Sequence, residues 1–326
     1  MARFLPSLLL LLLLSCNDDK TSGDALLDQQ PYAPLTDSIR RFSNNADLYY
    51  RRAGRLFEGG EKEAATSDIR KAWSILPNEP IALRYAAIMR QVNEDSALHF
   101  LERAHRQLER SISVEVTLAR AYQKKGAAEK ALALCNDIIG RYPNQLDALI
   151  LKSELLSAQH RDAESLATLE KAYSYAPFDA DLAHDLAFAY ATAGNPRALA
   201  LSDSLIARDP GGHHAEPYYF KGLFYETTGN KAKALALLDE AIRHDYNFLD
   251  AHMEKGEVQY DGKQYEAALK SYQLAATISP TFADAYFGVA RCLEAMGNKA
   301  DAKLNYQRAY SLDKSMTEAR DAAARL

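Results

Sequence analysis

Small side chains return at one fixed interval along most of this chain, and that interval restricts the fold more than any other feature. Aligning ADAYFGVARCLEAMGNKADAKLNYQRAYSLD, from Ala283, with AEPYYFKGLFYETTGNKAKALALLDEAIRHD, from Ala215, superposes an aromatic, a small residue, a Gly-Asn-Lys turn and several alanines. The period is about 34 residues. It covers residues 46–316 in about eight units that start near Ala46, Pro80, Ile112, Leu146, Ala180, Ala215, Leu249 and Ala283. The eighth position holds Ala53, Ala87, Ala119, Ser153, Ala187, Gly222, Gly256 and Ala290. A second column, early in the second half of each unit, holds Ala65, Ala97, Ala131, Ser165, Ala198, Ala234, Ala268 and Ala302. Paired helices approach to about 8–10 Å only where the facing side chains are small. The two columns therefore predict a helix–turn–helix in every unit.

Larger residues flank the columns. Tyr122, Tyr190 and Tyr225 recur on the first helix, and Ile69, Leu169, Leu238, Tyr272 and Tyr306 on the second. Pro77, Pro143, Pro177, Pro210 and Pro280 are placed to stop the second helix, because proline lacks the donor that a helix needs. Gly126, Gly194, Gly229 and Gly297 sit where the first helix should end in a left-handed cap. The second unit is shortened around Asn93-Glu94-Asp95 and the fifth at Asn195-Pro196. Residues 317–326 predict a C-terminal capping helix with Thr317 as N-cap, and residues 35–45 a partial helix that covers the first unit through Ile39 and Phe42. Cys135 and Cys292 fall in different units, beyond disulfide reach, and Cys135 is expected to be a small buried hydrophobe.

This pattern resembles the tetratricopeptide repeat. The resemblance implies an all-α, right-handed superhelical solenoid, capped at its ends, that serves as a binding scaffold. In that family, positions 2, 5, 9 and 12 of each unit commonly face a concave groove. Carried onto this sequence, they give Tyr50, His184 and Phe188, then Glu216, Tyr219, Leu223 and Glu226 in the sixth unit. The seventh unit gives Asp250, Met253, Glu257 and Tyr260, and the eighth Asp284, Phe287, Arg291 and Glu294. The core of the expected peptide-binding groove is Phe188, Tyr219, Leu223, Glu226, Met253, Glu257, Tyr260, Phe287 and Arg291. Aromatic and Met side chains suit an interface core, and an acidic rim would steer basic segments of a protein partner. Some of these side chains could instead pack on one another. The Lys/Asn/Arg clamp of chaperone-tail-binding members is missing, since the fifth positions are Tyr219, Met253 and Phe287.

The start of the chain carries a different signal. Arg3 precedes an apolar run of 11 residues from Phe4 to Leu14, closed by Ser15. That run is shorter than the roughly 20 residues a membrane helix needs, and its order is that of a secretory leader. Leu13-Leu14-Ser15-Cys16 resembles the lipobox of bacterial lipoproteins, with Leu14 a departure from its usual small residue. The resemblance implies cleavage of residues 1–15 and lipidation of Cys16; an ordinary secretory leader is the alternative. Residues 16–34 are polar and carry Gly and Pro, which predicts a flexible tether, or else a short ordered arm on the first helices. Asn17 is not the aspartate associated with inner-membrane retention, so the resemblance favours an outer-membrane anchor, on either face, and CNDDK weakly resembles the acidic stretch of surface-exported lipoproteins of Bacteroidota.

Chemistry is sparse. The net charge of -5 lacks the basic footprint of nucleic-acid binding. None of the 8 histidines forms an i, i+4 pair with a third ligand near it in sequence, and the vicinal pair in GGHH reads as solvated, so no metal site is expected. No hydrolase, zincin, redox or phosphate-loop motif occurs. The expectation is a non-enzymatic adaptor without cofactor or small-molecule substrate, working in cell-envelope assembly or secretion. A stoichiometric structural subunit of an envelope machine is the alternative; a secreted, unlipidated repeat protein comes after it.

Overall fold

A computed structural model describes residues 22–326. The leader, its cleavage after Ser15 and the lipidation of Cys16 concern residues outside the described ones. Among the described residues the fold is all-α, with nineteen helices and no strand. Short helices α1 (Ser22–Leu27) and α2 (Ala33–Arg41) lead into eight helix pairs. The first four are α3 (Ala46–Glu58) with α4 (Lys62–Ile75), α5 (Glu79–Val92) with α6 (Glu94–Gln107), α7 (Ile112–Lys124) with α8 (Ala128–Arg141), and α9 (Leu146–Ala158) with α10 (Asp162–Tyr175). Next come α11 (Ala180–Thr192) with α12 (Arg197–Arg208) and α13 (Glu216–Thr227) with α14 (Lys231–His244). The last two are α15 (Leu249–Asp261) with α16 (Tyr265–Ile278) and α17 (Ala283–Ala295) with α18 (Lys299–Leu312), after which α19 (Thr317–Arg325) closes the chain. The helices group into two compact units that divide between Leu134 and Cys135, within α8.

Within the first unit successive helices from α2 to α7 pack on one another, and within the second those from α9 to α19 do so; first helices also meet the first helices of the next pair, as α3 meets α5 and α11 meets α13. This is the contact pattern of a solenoid. The small-residue columns explain it. Ala53, Ala119, Ala187, Ala290, Ala65, Ala131, Ala198, Ala234, Ala268 and Ala302 are fully buried. Ala87 is the exception, and Ala86 is buried in its place. The reason lies at the start of α5. The Asn78 side chain accepts a hydrogen bond from the Ile81 N–H at 3.0 Å, with proline in the first turn, and this starts the helix one residue early.

The turns follow the expected chemistry. The helix-stopping prolines fall just after α4, α8, α10, α12 and α16. Gly126, Gly194, Gly229 and Gly297 adopt φ of +73°, +61°, +83° and +84°. At the same offset, the fourth and seventh pairs use His160 (φ 57°) and Lys263 (φ 60°), a conformation that costs a non-glycine residue about 1 kcal/mol. The shortened second pair is joined by one residue. Asn93 ends α5 with its N–H on Met89 O and begins α6 with its side chain accepting from the Ser96 N–H at 2.8 Å.

The ends of the chain correct three expectations. Residues from Ser22 onward, expected as part of a tether, include α1 and an ordered arm: Tyr32 is buried, and Leu26 and Leu27 pack against the first core. The arm is tied down by polar groups as well. Thr36 Oγ1 donates to Leu27 O at 2.6 Å and accepts from Arg52 Nη1 at 2.9 Å. Arg52 in turn forms a bidentate pair with Asp68, at 2.6 and 2.8 Å, and both side chains are buried. Second, Ile39 is buried as expected but Phe42 is 63% exposed, because α2 ends at Arg41 and turns it to solvent. Third, Thr317 is the first residue of α19 and Met316 holds the N-cap position without a side-chain bond. Ala319, Ala322 and Ala323 of that helix cover the Tyr286–Tyr306 cluster.

Neither Cys135 nor Cys292 forms a disulfide, and both are buried. Burial pushes the Cys292 thiol up to about 12. No described helix is long and apolar enough to cross a membrane.

Candidate functional site: an acidic groove in the second unit

On α15, Asp250, Glu254, Glu257 and Asp261 follow one another at helical spacing and share a face. α17 places Asp284, Phe287 and Arg291 on one face in the same way. Between these helices and α13 lies a hollow of about 400 Å³. Tyr219, Met253 and Phe287 supply its apolar walls, and Asp250, Glu254, Glu257 and Asp284 its carboxylates. Arg291 is its one cation, and it is already engaged. Its Nη1 lies 2.9 Å from Glu257 Oε1 and its guanidinium stacks 4.1 Å above the Tyr260 ring.

The crowding of acids is strongest at Glu254. Burial first, then the neighbouring Glu226, Glu257 and Asp261, push its carboxyl up from 4.5 to about 7. Burial and the Glu254 and Asp250 charges likewise raise the Tyr219 phenol above its ordinary range. A cation brought into the hollow would relieve this repulsion.

Of the nine expected groove residues, five line this hollow: Tyr219, Met253, Glu257, Phe287 and Arg291. Tyr260 lies beneath Arg291, and Glu226 acts on it only through its charge on Glu254. Phe188 lies in a second hollow of about 530 Å³ between α9, α10 and α11. That hollow carries Glu154, Asp162 and Asp185 and no lysine or arginine. Leu223 is a correction: it is buried in the core formed by α11, α12 and α13. From Pro217 to Tyr225 the helix is apolar nearly all round, so no polar stripe marks which side faces solvent. Glu254 was missed. The i, i+4, i+7 spacing of Asp250, Glu254 and Glu257 was the available signal, since it names a helix face independently of family positions.

The first unit has a hollow of opposite character, about 490 Å³ between α5, α6 and α7. Its floor is Leu83, Ala97, Leu98 and Leu101, and its rim includes Arg90, Arg120, Lys124 and Lys125. Lys124 pairs with Glu94, and Lys125 lies 2.6 Å from Asp95. Tyr50 lies elsewhere in that unit, with the Arg84 guanidinium stacked 4.1 Å over its ring.

The structure also gathers three groups that sequence spacing keeps apart. His184 of α11, His214 of the α12–α13 connection and Glu216 of α13 offer ligand atoms that all lie within 4.8 Å of one another. Linear spacing gave no sign of this grouping, because the three residues come from two helices and the connection between α12 and α13.

Comparison with known proteins agrees with this architecture. Residues 215–247 and 283–316 match one tetratricopeptide repeat family and residues 116–144 another. The chain thus contains tetratricopeptide repeats and folds as their helix pairs. The Hsp70-Hsp90 organizing protein of Triticum aestivum is 29% identical over 106 residues, which is 32% of this chain and 18% of that protein. The chain therefore matches less than a fifth of that relative's length. A tetratricopeptide repeat protein from Parabacteroides merdae superposes with a TM-score of 0.55 at 14% identity, covering 86% of this chain and 97% of that one. The APC/C hetero-tetramer Cut9-Hcn1 superposes with a TM-score of 0.51 at 13% identity, covering 90% and 59%. At these identities the structural likeness shows the fold.

Proposed function

We propose that the second unit is the partner-binding part of a non-enzymatic adaptor, and that its hollow between α13, α15 and α17 receives a Lys- or Arg-bearing segment of another protein. One observation carries this reading. Four carboxylates face one guanidinium around Tyr219, Met253 and Phe287, and burial together with the repulsion of Glu226, Glu257 and Asp261 raises the Glu254 carboxyl to about 7. A cationic side chain beside Glu254 removes that repulsion, and the aromatic and Met walls bury its stem.

The test uses segments crosslinked to the groove from intact cells and then synthesised as labelled peptides. Exposed Asp250 and Asp284 can be reversed without disturbing the core. Asp250→Lys with Asp284→Lys is expected to weaken peptide binding about tenfold or more at low salt and to lower its salt dependence. Binding that survives the reversal unchanged sinks the assignment.

The pH dependence has a definite sign. The folded carboxyl of Glu254 sits at about 7, above its ordinary 4.5. Peptide affinity should therefore rise as pH increases from 6 to 8 and ionises Glu254, while the unliganded fold loses stability as pH climbs from 4.5 through 7. Glu254→Gln should flatten both profiles.

The adaptor reading extends to location. On the Leu13-Leu14-Ser15-Cys16 resemblance, the chain is held at an outer membrane by acyl chains on Cys16 and works in envelope assembly or secretion. The wheat relative is an Hsp70-Hsp90 organizing protein. The groove here lacks the basic clamp that would hold a chaperone's terminal carboxylate, and its charge is of the opposite sign. Cys16→Ser is expected to shift the protein from the membrane fraction to the soluble fraction; a protein that still sediments with membranes removes the lipid anchor from this reading.

A further inference from the structure

We infer that His184, His214 and Glu216 form a binding site for one borderline divalent transition ion, zinc foremost, which pins the α12–α13 connection to α11. The inference is independent of the acidic groove. Two imidazoles and a carboxylate with a free fourth position make a donor set that suits zinc.

His184 is prepared for this role. Its Nδ1 lies 2.7 Å from the carbonyl of Ala180, one turn back on α11. Nδ1 therefore carries the proton and donates it to that oxygen, leaving the Nε2 lone pair for a metal. The connection that carries His214 is held on both sides. Asp209 accepts from the His214 N–H at 2.9 Å and lies 3.1 Å from His213 Nδ1. The Gly212 carbonyl accepts from His244 Nδ1 at 2.8 Å, and the His244 ring stacks on Tyr218 at 4.5 Å. Ala215 is buried immediately after His214.

His214 Nδ1 lies 3.8 Å from Glu216 Oε2, and the two imidazole rings are 5.9 Å apart, inclined at 61°. An occupied tetrahedral site with bonds of about 2.1 Å needs donors about 3.4 Å apart. Since His214 is exposed and Glu216 only half-buried, χ rotations suffice to close the difference. His213, although vicinal to His214, is turned to Asp209 and takes no part. The site also touches the surface described above: His184 and Phe188 lie one turn apart on α11, and both rings contact Phe220 at 6.0 Å.

The experiment titrates Zn²⁺ into chelator-treated full-length protein by calorimetry and repeats the titration with Co²⁺ by visible absorption. One ion per chain is expected, with the strong visible bands of four-coordinate cobalt. His184→Ala and His214→Ala should each weaken binding about 100-fold or more, and Glu216→Gln about tenfold, while His213→Ala changes nothing. Circular dichroism checks that each variant keeps its helices, as solvent-facing substitutions should. Absence of stoichiometric binding, binding that ignores both the His184 and His214 substitutions, or loss of binding in His213→Ala would each overturn the assignment.

Discussion

Tyr272→Ala is expected to cost about 3–5 kcal/mol, among the largest effects of any single substitution in the second unit. Tyr272 is fully buried in α16 and fills the space left by two glycines on neighbouring helices. A Cβ built on Gly256 of α15 would lie 2.6 Å from the Tyr272 ring, and one built on Gly288 of α17 would lie at the same distance. The ring is thus a knob for two holes, and its loss would leave a cavity touching three helices. The converse substitutions, Gly256→Ala and Gly288→Ala, should each cost about 1–3 kcal/mol through overpacking. Urea unfolding gives the magnitude. Hydrogen exchange tests the location, because nearest-neighbour stacking confines the loss of protection to α15–α18 and adjoining helices. Uniform loss across α9–α14 would contradict this picture of the packing.

The second large effect is expected at the other end. Arg52→Met should destabilise the first unit by about 3–5 kcal/mol, because it leaves the buried Asp68 carboxylate without its counter-ion. The bidentate pair has a further consequence that an isolated ion pair would lack. Arg52 Nη1 also holds Thr36, whose hydroxyl reaches back to Leu27. The substitution should therefore release the arm as well, read as faster proteolysis between Leu27 and Arg41. Adding Asp68→Leu to Arg52→Met should recover most of the stability, since a well-packed apolar pair can replace a buried ionic one. It should not restore the arm's protection, because Thr36 would still lack its donor. Recovery of both, or of neither, would refute this division of roles.

Much of the fold was legible because its determinant is local and periodic. The alanine columns name the helix contacts, and the glycine and proline positions name the turns. The single slip of register, at Ala87, arose where Asn78 and Pro80 start α5 one residue early, a capping effect that a repeat average smooths away. His160 and Lys263 show the same limit: their left-handed turns are imposed by the packing of the pairs around them, against local preference.

The site was legible in part. Met253, Glu257, Phe287 and Arg291 were found from their unit positions, and they do meet. Leu223 was misplaced because an all-apolar helix has no readable outer side. Glu254 acquires its character from burial first and then from Glu226 on a neighbouring helix, neither of which linear spacing encodes, with Glu257 and Asp261 of its own helix adding to them. His184, His214 and Glu216 converge only because the α12–α13 connection folds back toward α11.

The solitary amide that joins α5 to α6 bears on recognition. Asn93 ends one rod and begins the next, so this hairpin has no spare length with which to open or close. The hollow whose floor includes Leu83 of α5 and Leu98 of α6 inherits the spacing of those two helices from that joint. A visitor there must conform to the α5–α6 side of the hollow, which has no slack with which to yield.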